Sequence, residues 1–185
     1  MITTAPRISR LRRSQVPEST GIIYDRYART RGNVPNMFRT VAHRPEIFET
    51  MIAHLEAVLN TGTLTTRLKE LVIVRTSQLN GCEYCFASHS LLATRLGWSQ
   101  EQIEHLADYE QRADFTLAER AALRLADQMT LDSRAMSDAE FARIREFFDE
   151  GQMVELMAAV GLFNYFNRFN NLLQMEPTKP GEGTE

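Results

Sequence analysis

The sequence predicts an all-α fold, a bundle of about seven or eight helices. Three observations carry this. Apolar residues recur at spacings of three and four along most of the chain. Helix-start signatures recur ahead of those stretches: Ser99 with Gln102, Thr116 with Glu119, Ser137 with Glu140. No convincing run of alternating apolar and polar residues signals a strand. Leu71, Val72, Ile73 and Val74 are largely β-branched, but they do not alternate. They sit inside a longer segment led by Thr65 to Glu70, and its length decides for helix.

The elements follow in order. Gly21 to Arg31 reads as a short amphipathic helix with Ile22, Ile23 and Tyr27, broken by Gly32-Asn33-Val34-Pro35-Asn36. A second helix is expected over Asn36 to Ala42. Pro45 suits a helix start, where its missing N–H costs nothing. Ile47, Met51, Leu55 and Leu59 follow as the stripe of a core-facing helix, which Thr61-Gly62-Thr63 ends. Thr65 or Thr66 can cap the next helix, and Asn80-Gly81 stops it. Another runs from about Cys82 to Leu96, with Gly97 as its stop. The three cap signatures open a short helix after Ser99, then Ala121 to Met129, then Phe141 to Phe148. The last helix spans about Gln152 to Leu173. Residues 1–20 are expected as a basic N-terminal arm, 21–175 as the helical domain and 176–185, with Pro177, Pro180 and glycines, as a disordered tail.

The chain has 185 residues, 43% hydrophobic and 24% charged, which suits one domain with a real core. A net charge of -3 gives no basic excess to attract nucleic acid. Arg7, Arg10, Arg12 and Arg13 cluster at the start, read as a solvated or subunit-packing arm. No stretch reaches the roughly 20 apolar residues that span a bilayer, and the N-terminus lacks an apolar signal core. The expectation is a cytoplasmic protein that contacts no membrane. In a reducing compartment two close cysteines point to catalysis or metal binding rather than a permanent staple.

Those are Cys82 and Cys85, followed by His89 and preceded by Glu70. Cys82, Cys85 and His89 stand at i, i+3 and i+7, along one helix face. A disulfide closing so small a loop adds little stability and is more useful made and broken. Unpaired N–H groups at a helix start favour a thiolate. An imidazole can take or relay a proton near neutral pH. If the two helices around Gly81 pack antiparallel, Glu70 and His89 can meet, and the carboxylate would orient the ring. Three ligands from Cys82, Cys85 and His89 fall short of the four a structural zinc wants. His43, His54 and His105 have no such company and read as surface residues. Trp98 is expected to pack at a helix end. Phe163, Phe166 and Phe169 are read as core or subunit interface, and Asn164, Asn167 and Asn170 as hydrogen-bonded locally or across an interface.

Glu70, eleven intervening residues, Cys82, two residues, Cys85, three residues and His89 together resemble the active-site signature of AhpD-like alkylhydroperoxidases, in the carboxymuconolactone decarboxylase superfamily. The flanks Asn33-Val34-Pro35-Asn36-Met37-Phe38 and Phe166-Asn167-Arg168-Phe169-Asn170 look similar too, so the resemblance covers about residues 20 to 175. It implies an all-α homo-oligomer that reduces hydroperoxides without a cofactor or metal. By resemblance Cys85 is the peroxidatic thiol, oxidised to a sulfenic acid, Cys82 resolves it, and Glu70 and His89 form the proton relay. The helix-start argument favours the reverse assignment, with Cys82 the more acidic thiol. A thioredoxin-like or lipoyl-bearing dithiol would regenerate the pair. Tyr84 stands where the best-known peroxidases carry histidine. The alternatives are a non-enzymatic redox-sensing helical oligomer and a decarboxylase. The superfamily's decarboxylases act without a Cys-x-x-Cys pair, which argues against the latter.

Overall fold

A computed structural model describes residues 6–185, so the first five residues of the expected basic arm lie outside the described residues. Nine α-helices, three short 3-10 turns and no strand are present among the described residues. No helix among them is long and apolar enough to cross a membrane. The described residues divide into two compact units, 56–168 and the flanking segments 6–55 and 169–185.

The flanking unit holds α1 (Glu18–Arg31), α2 (Asn36–Val41) and most of α3 (Pro45–Asn60). Its aromatic centre is built from edge-to-face pairs. Tyr24 meets Phe48 at 5.9 Å and Phe38 meets Phe48 at 5.6 Å between ring centroids. Two expectations are corrected here. The stripe read at spacing four drifts off the core: Ile47 is 47% exposed and Leu59 only half-buried. Met51 and Leu55 are buried as expected, and Phe48 and Ile52 complete the buried face. A helix turns about 100° per residue, so steps of four advance round its surface by about 40° each.

The second correction concerns the segment 176–185, expected as a disordered tail. It is hydrogen-bonded within this unit. The Asn36 N–H donates to Thr178 Oγ1 (2.9 Å), and the Val34 N–H to the Glu182 carbonyl (3.0 Å). Arg10 reaches Glu182 and Glu176 at 3.1 and 3.2 Å. The described part of the basic arm thus finds its partners within its own unit. Arg13 likewise pairs with Glu18 and Asp25. The signal missed was the acidic complement in the tail, which composition alone reads as solvation.

The central unit carries α4 (Thr66–Leu79), α5 (Glu83–Arg95), α6 (Gln100–Glu104), α7 (Leu117–Leu131), α8 (Asp138–Arg145) and most of α9 (Glu150–Leu173). Thr65 caps α4 by accepting from the Leu68 N–H, and the three expected capping boxes form at α6, α7 and α8. In α4, Leu71 to Val74 are buried at every position, the mark of a helix enclosed on all sides. This explains why the run carried no alternation. Leu71 and Val74 pack with Ala93, Trp98, Ile103, Leu106, Phe115 and Leu123. Trp98 does sit past the end of α5. Its ring N–H donates to the Arg67 carbonyl (2.9 Å), and the Arg67 guanidinium lies 3.4 Å from the ring centroid.

Lys69, 1% exposed, fastens α4 to the preceding turn. Its ammonium donates to the carbonyls of Val58 (2.9 Å) and Thr61 (2.6 Å) and pairs with Glu155 at 2.9 Å. Burial pushes the Glu155 carboxyl up, but the Thr63 and Leu64 N–H groups and Lys69 outweigh it and hold its pKa below the ordinary value. Lys69→Met removes the ammonium and leaves these acceptors without it. The expected loss is about 3 kcal/mol in urea unfolding, the scale for breaking one side of a buried pair.

Candidate functional site

The site is a helix hairpin. Helix α4 ends at Asn80, whose backbone N–H bonds back to the Thr76 carbonyl. Gly81 takes φ +59°, the left-handed conformation that lets the chain reverse. An added Cβ there would meet nothing within 4 Å. Gly81 is needed for its backbone, not to clear space for the site. The Cys82 N–H then bonds to the Ser77 carbonyl (2.9 Å), and α5 begins with Cys82 as its N-cap.

Cys82 and Cys85 are free thiols, 1% and 3% exposed. The Cys85 thiol hydrogen-bonds to Cys82 and is the main reason that the Cys82 pKa falls to about 7. Burial opposes the fall. The backbone N–H groups of Cys85 and Tyr84 and the side chain of Asn167 add to it. The pull on this thiol is therefore local, from the first turn of the helix and its neighbours.

His89 follows Cys85 by one helical turn on α5. Its Nδ1 lies 2.7 Å from Glu70 Oε2. Glu70 projects from α4 and is 1% exposed, so the two arms of the hairpin meet as the spacing predicts. A carboxylate only accepts, so Nδ1 carries the shared proton and Nε2 keeps its lone pair. The imidazole is held from a second side by Phe163 of α9, edge-on at 4.6 Å between centroids.

All four residues read from the sequence thus lie on one hairpin. Two of them form a hydrogen-bonded thiol pair and the other two a carboxylate–imidazole pair. His43, His54 and His105 are exposed. Phe163 and Phe166 are buried core residues. No group of three or more His, Cys, Asp or Glu that could hold a metal ion occurs among the described residues.

The sequence reading missed the amide cluster behind Cys82. Asn80 Nδ2 donates to Asn164 Oδ1 (3.0 Å), and Asn167 lies against Ser77 Oγ (3.2 Å). Asn164 also donates to Thr130 Oγ1 (3.1 Å). The available signal was the recurrence of asparagine at 164, 167 and 170 on an apolar helix. A step of three keeps side chains near one face, but nothing in that pattern names a thiol as the neighbour.

The chain resembles known proteins over this same region. Residues 45–128 match the model of the carboxymuconolactone decarboxylase family. The uncharacterized protein YdfG of Bacillus subtilis is 30% identical over 117 residues, 63% of this chain and 80% of that protein. A solved alkylhydroperoxidase AhpD core, an uncharacterized peroxidase-related protein from Ralstonia eutropha, superimposes with a TM-score of 0.86. It is 26% identical, with 98% of each chain covered. An uncharacterized peroxidase-related protein from Silicibacter shares the fold at a TM-score of 0.85 and 22% identity, covering 99% of this chain and 100% of that one. The matched family segment includes the whole hairpin, and the fold agrees along nearly the full length. The chain therefore belongs to the AhpD and carboxymuconolactone decarboxylase superfamily.

Proposed function

We propose that this protein is a thiol-dependent peroxidase that reduces hydroperoxides through a Cys82–Cys85 disulfide cycle, with Glu70 and His89 as its proton relay. One observation carries the reading. The hairpin that holds two adjacent thiols, one of them acidic, also holds a buried carboxylate bonded to an imidazole at 2.7 Å. The peroxidase-related relative from Ralstonia eutropha supports the same chemistry.

In the cycle a thiolate attacks one oxygen of the hydroperoxide. The O–O bond breaks, the sulfur becomes a sulfenic acid, and the leaving alkoxide takes a proton and departs as the alcohol. In this reading His89 takes the proton that the thiol gives up and returns it to the alkoxide, with Glu70 stabilising the imidazolium formed in between. The second thiol then attacks the sulfenic sulfur, water leaves, and the disulfide forms. An external dithiol, thioredoxin-like or lipoyl-bearing, returns both sulfurs to thiols by exchange. The acidity of Cys82 and the hydrogen bond from Cys85 support Cys82 as the first nucleophile, the reverse of the assignment the resemblance implies.

Thiol titration of the reduced protein before and after one equivalent of hydroperoxide tests the reading. The expected result is loss of both thiols with one equivalent of alcohol formed, and full recovery with a dithiol. An unchanged thiol titre would overturn it, and so would thiol loss without alcohol.

A further inference from the structure

The corner between α4 and α5 gives the two thiols their spacing. Cys85 lies in the first turn of α5, but Cys82 is its N-cap, with φ -91° and ψ 91°, outside the helix. Helix geometry alone therefore does not place Cys82 against Cys85; the reversal at Asn80-Gly81 does. Three backbone bonds shape that reversal. The Asn80 N–H donates to the Thr76 carbonyl (3.1 Å), the Gly81 N–H to the Gln78 carbonyl (3.1 Å) and the Cys82 N–H to the Ser77 carbonyl (2.9 Å). All three run back into α4, so none fastens the corner to anything outside the hairpin. The Asn80 side chain does. Its Nδ2 donates to the Thr76 carbonyl (3.0 Å) and, across to α9, to Asn164 Oδ1 (3.0 Å).

Asn164 is buried and held rigidly itself. Its Oδ1 also accepts from the Arg168 guanidinium (3.1 Å), and its Nδ2 donates to the Val160 carbonyl (3.1 Å) and to Thr130 Oγ1 (3.1 Å). A guanidinium only donates and a carbonyl only accepts, so the Asn164 amide has one orientation; the Thr76 carbonyl fixes the Asn80 amide in the same way. The preceding residue of α9, Phe163, is the one that meets the His89 ring edge-on. Two neighbouring residues of one helix thus hold the thiol corner and the imidazole. We propose that Asn164 is a positioning residue for the thiol pair: by clamping the Asn80 amide it keeps the N-cap cysteine within bonding reach of Cys85. The proposal rests on the peroxidase reading for its purpose, but the clamp acts on any exchange at these sulfurs. Clamped, each sulfur stands at high effective concentration against the other; released, the N-cap spends time in positions from which no disulfide closes.

The test equilibrates the whole chain in glutathione buffers of stepped oxidised-to-reduced ratio. Each Cys82–Cys85 disulfide formed gives two electrons and two protons to one oxidised glutathione, which leaves as two thiols. The disulfide fraction is read by mass after alkylation of the remaining thiols. The equilibrium constant for the disulfide is expected to fall about tenfold in Asn164→Ala and in Asn80→Ala, the scale of one lost hydrogen bond. The double variant should fall no further than the worse single, because both remove the same bond. Thr130→Val removes the bond on the far side of Asn164 and leaves the contact with Asn80; it should unfold at lower urea with the constant unchanged. An unmoved constant in both alanine variants, or an equal fall in Thr130→Val, would overturn the proposal. Asn80 is only half-buried, so Asn80→Ala decides if Asn164→Ala fails to fold. Peroxide is absent throughout. A chain that reduces no hydroperoxide but shows the tenfold fall would sink the peroxidase reading and keep this one; turnover with unmoved constants would do the reverse.

Discussion

Cys82→Ser is expected to abolish hydroperoxide turnover, by about a thousandfold or more, whereas Cys85→Ser is expected to reduce one equivalent and then stop. The difference follows from how the two thiols are placed. Cys82 receives hydrogen bonds from the Cys85 thiol, from two backbone N–H groups and from Asn167, and they hold its pKa at about 7 despite near-complete burial. Near neutrality more of it is thiolate, the form that attacks peroxide, than of an ordinary cysteine. Losing an activated nucleophile removes the whole covalent route. In Cys85→Ser the nucleophile survives but nothing resolves it, so a sulfenic acid accumulates that dimedone traps on Cys82, read by mass spectrometry. Serine can still donate a hydrogen bond through its hydroxyl, whereas Cys85→Ala cannot. The first oxidation step should therefore need a higher pH in Cys85→Ala than in Cys85→Ser. In the unsubstituted protein that step should fall about tenfold per pH unit on the acid side of the Cys82 midpoint, because only the thiolate reacts. A full first turnover in Cys82→Ser, with the trapped sulfenic acid on Cys85, would restore the opposite assignment of roles.

The helical architecture and the four-residue hairpin were legible from the sequence because both depend on local rules. Capping boxes are short-range hydrogen bonds, and all three read from the sequence form where expected. The Glu70–His89 contact is also close to local, since one turn at Asn80-Gly81 sets the register of two helices. What escaped the reading depends on partners distant in the chain. The segment 176–185 looked solvated because its binding groups, the Asn36 N–H and Arg10, lie more than 140 residues away. The stripe on α3 was misread for a geometric reason. Residues at a constant spacing of four drift round the helix, and Phe48 and Ile52 carry the burial that Ile47 and Leu59 were expected to carry. The amide cluster behind Cys82 escaped because an asparagine in an apolar helix announces that it needs a partner without naming it. Only the packing of α9 against the end of α4 shows that Asn167 meets Ser77.

Glu70→Gln is expected to slow hydroperoxide reduction by about 10²- to 10⁴-fold, the range over which a positioned acid or base acts, with little change in folding. Glutamine keeps the size of the buried side chain, and its Oε1 can still accept from His89 Nδ1, so the ring should hold its place. What it loses is the negative charge. When the imidazole passes a proton it becomes cationic for part of the cycle, and at 1% exposure Glu70 offers that cation a counter-charge with little screening from water. His89→Gln removes the same relay from its other end and should cost a similar factor. Because the two side chains act as one unit, the double variant should be no slower than the worse single. Single-turnover rates, read as loss of thiols after mixing with hydroperoxide, keep the comparison free of the regenerating dithiol. If the two losses multiply instead, Glu70 and His89 serve separate steps, and the 2.7 Å contact orders the hairpin without joining them in a relay.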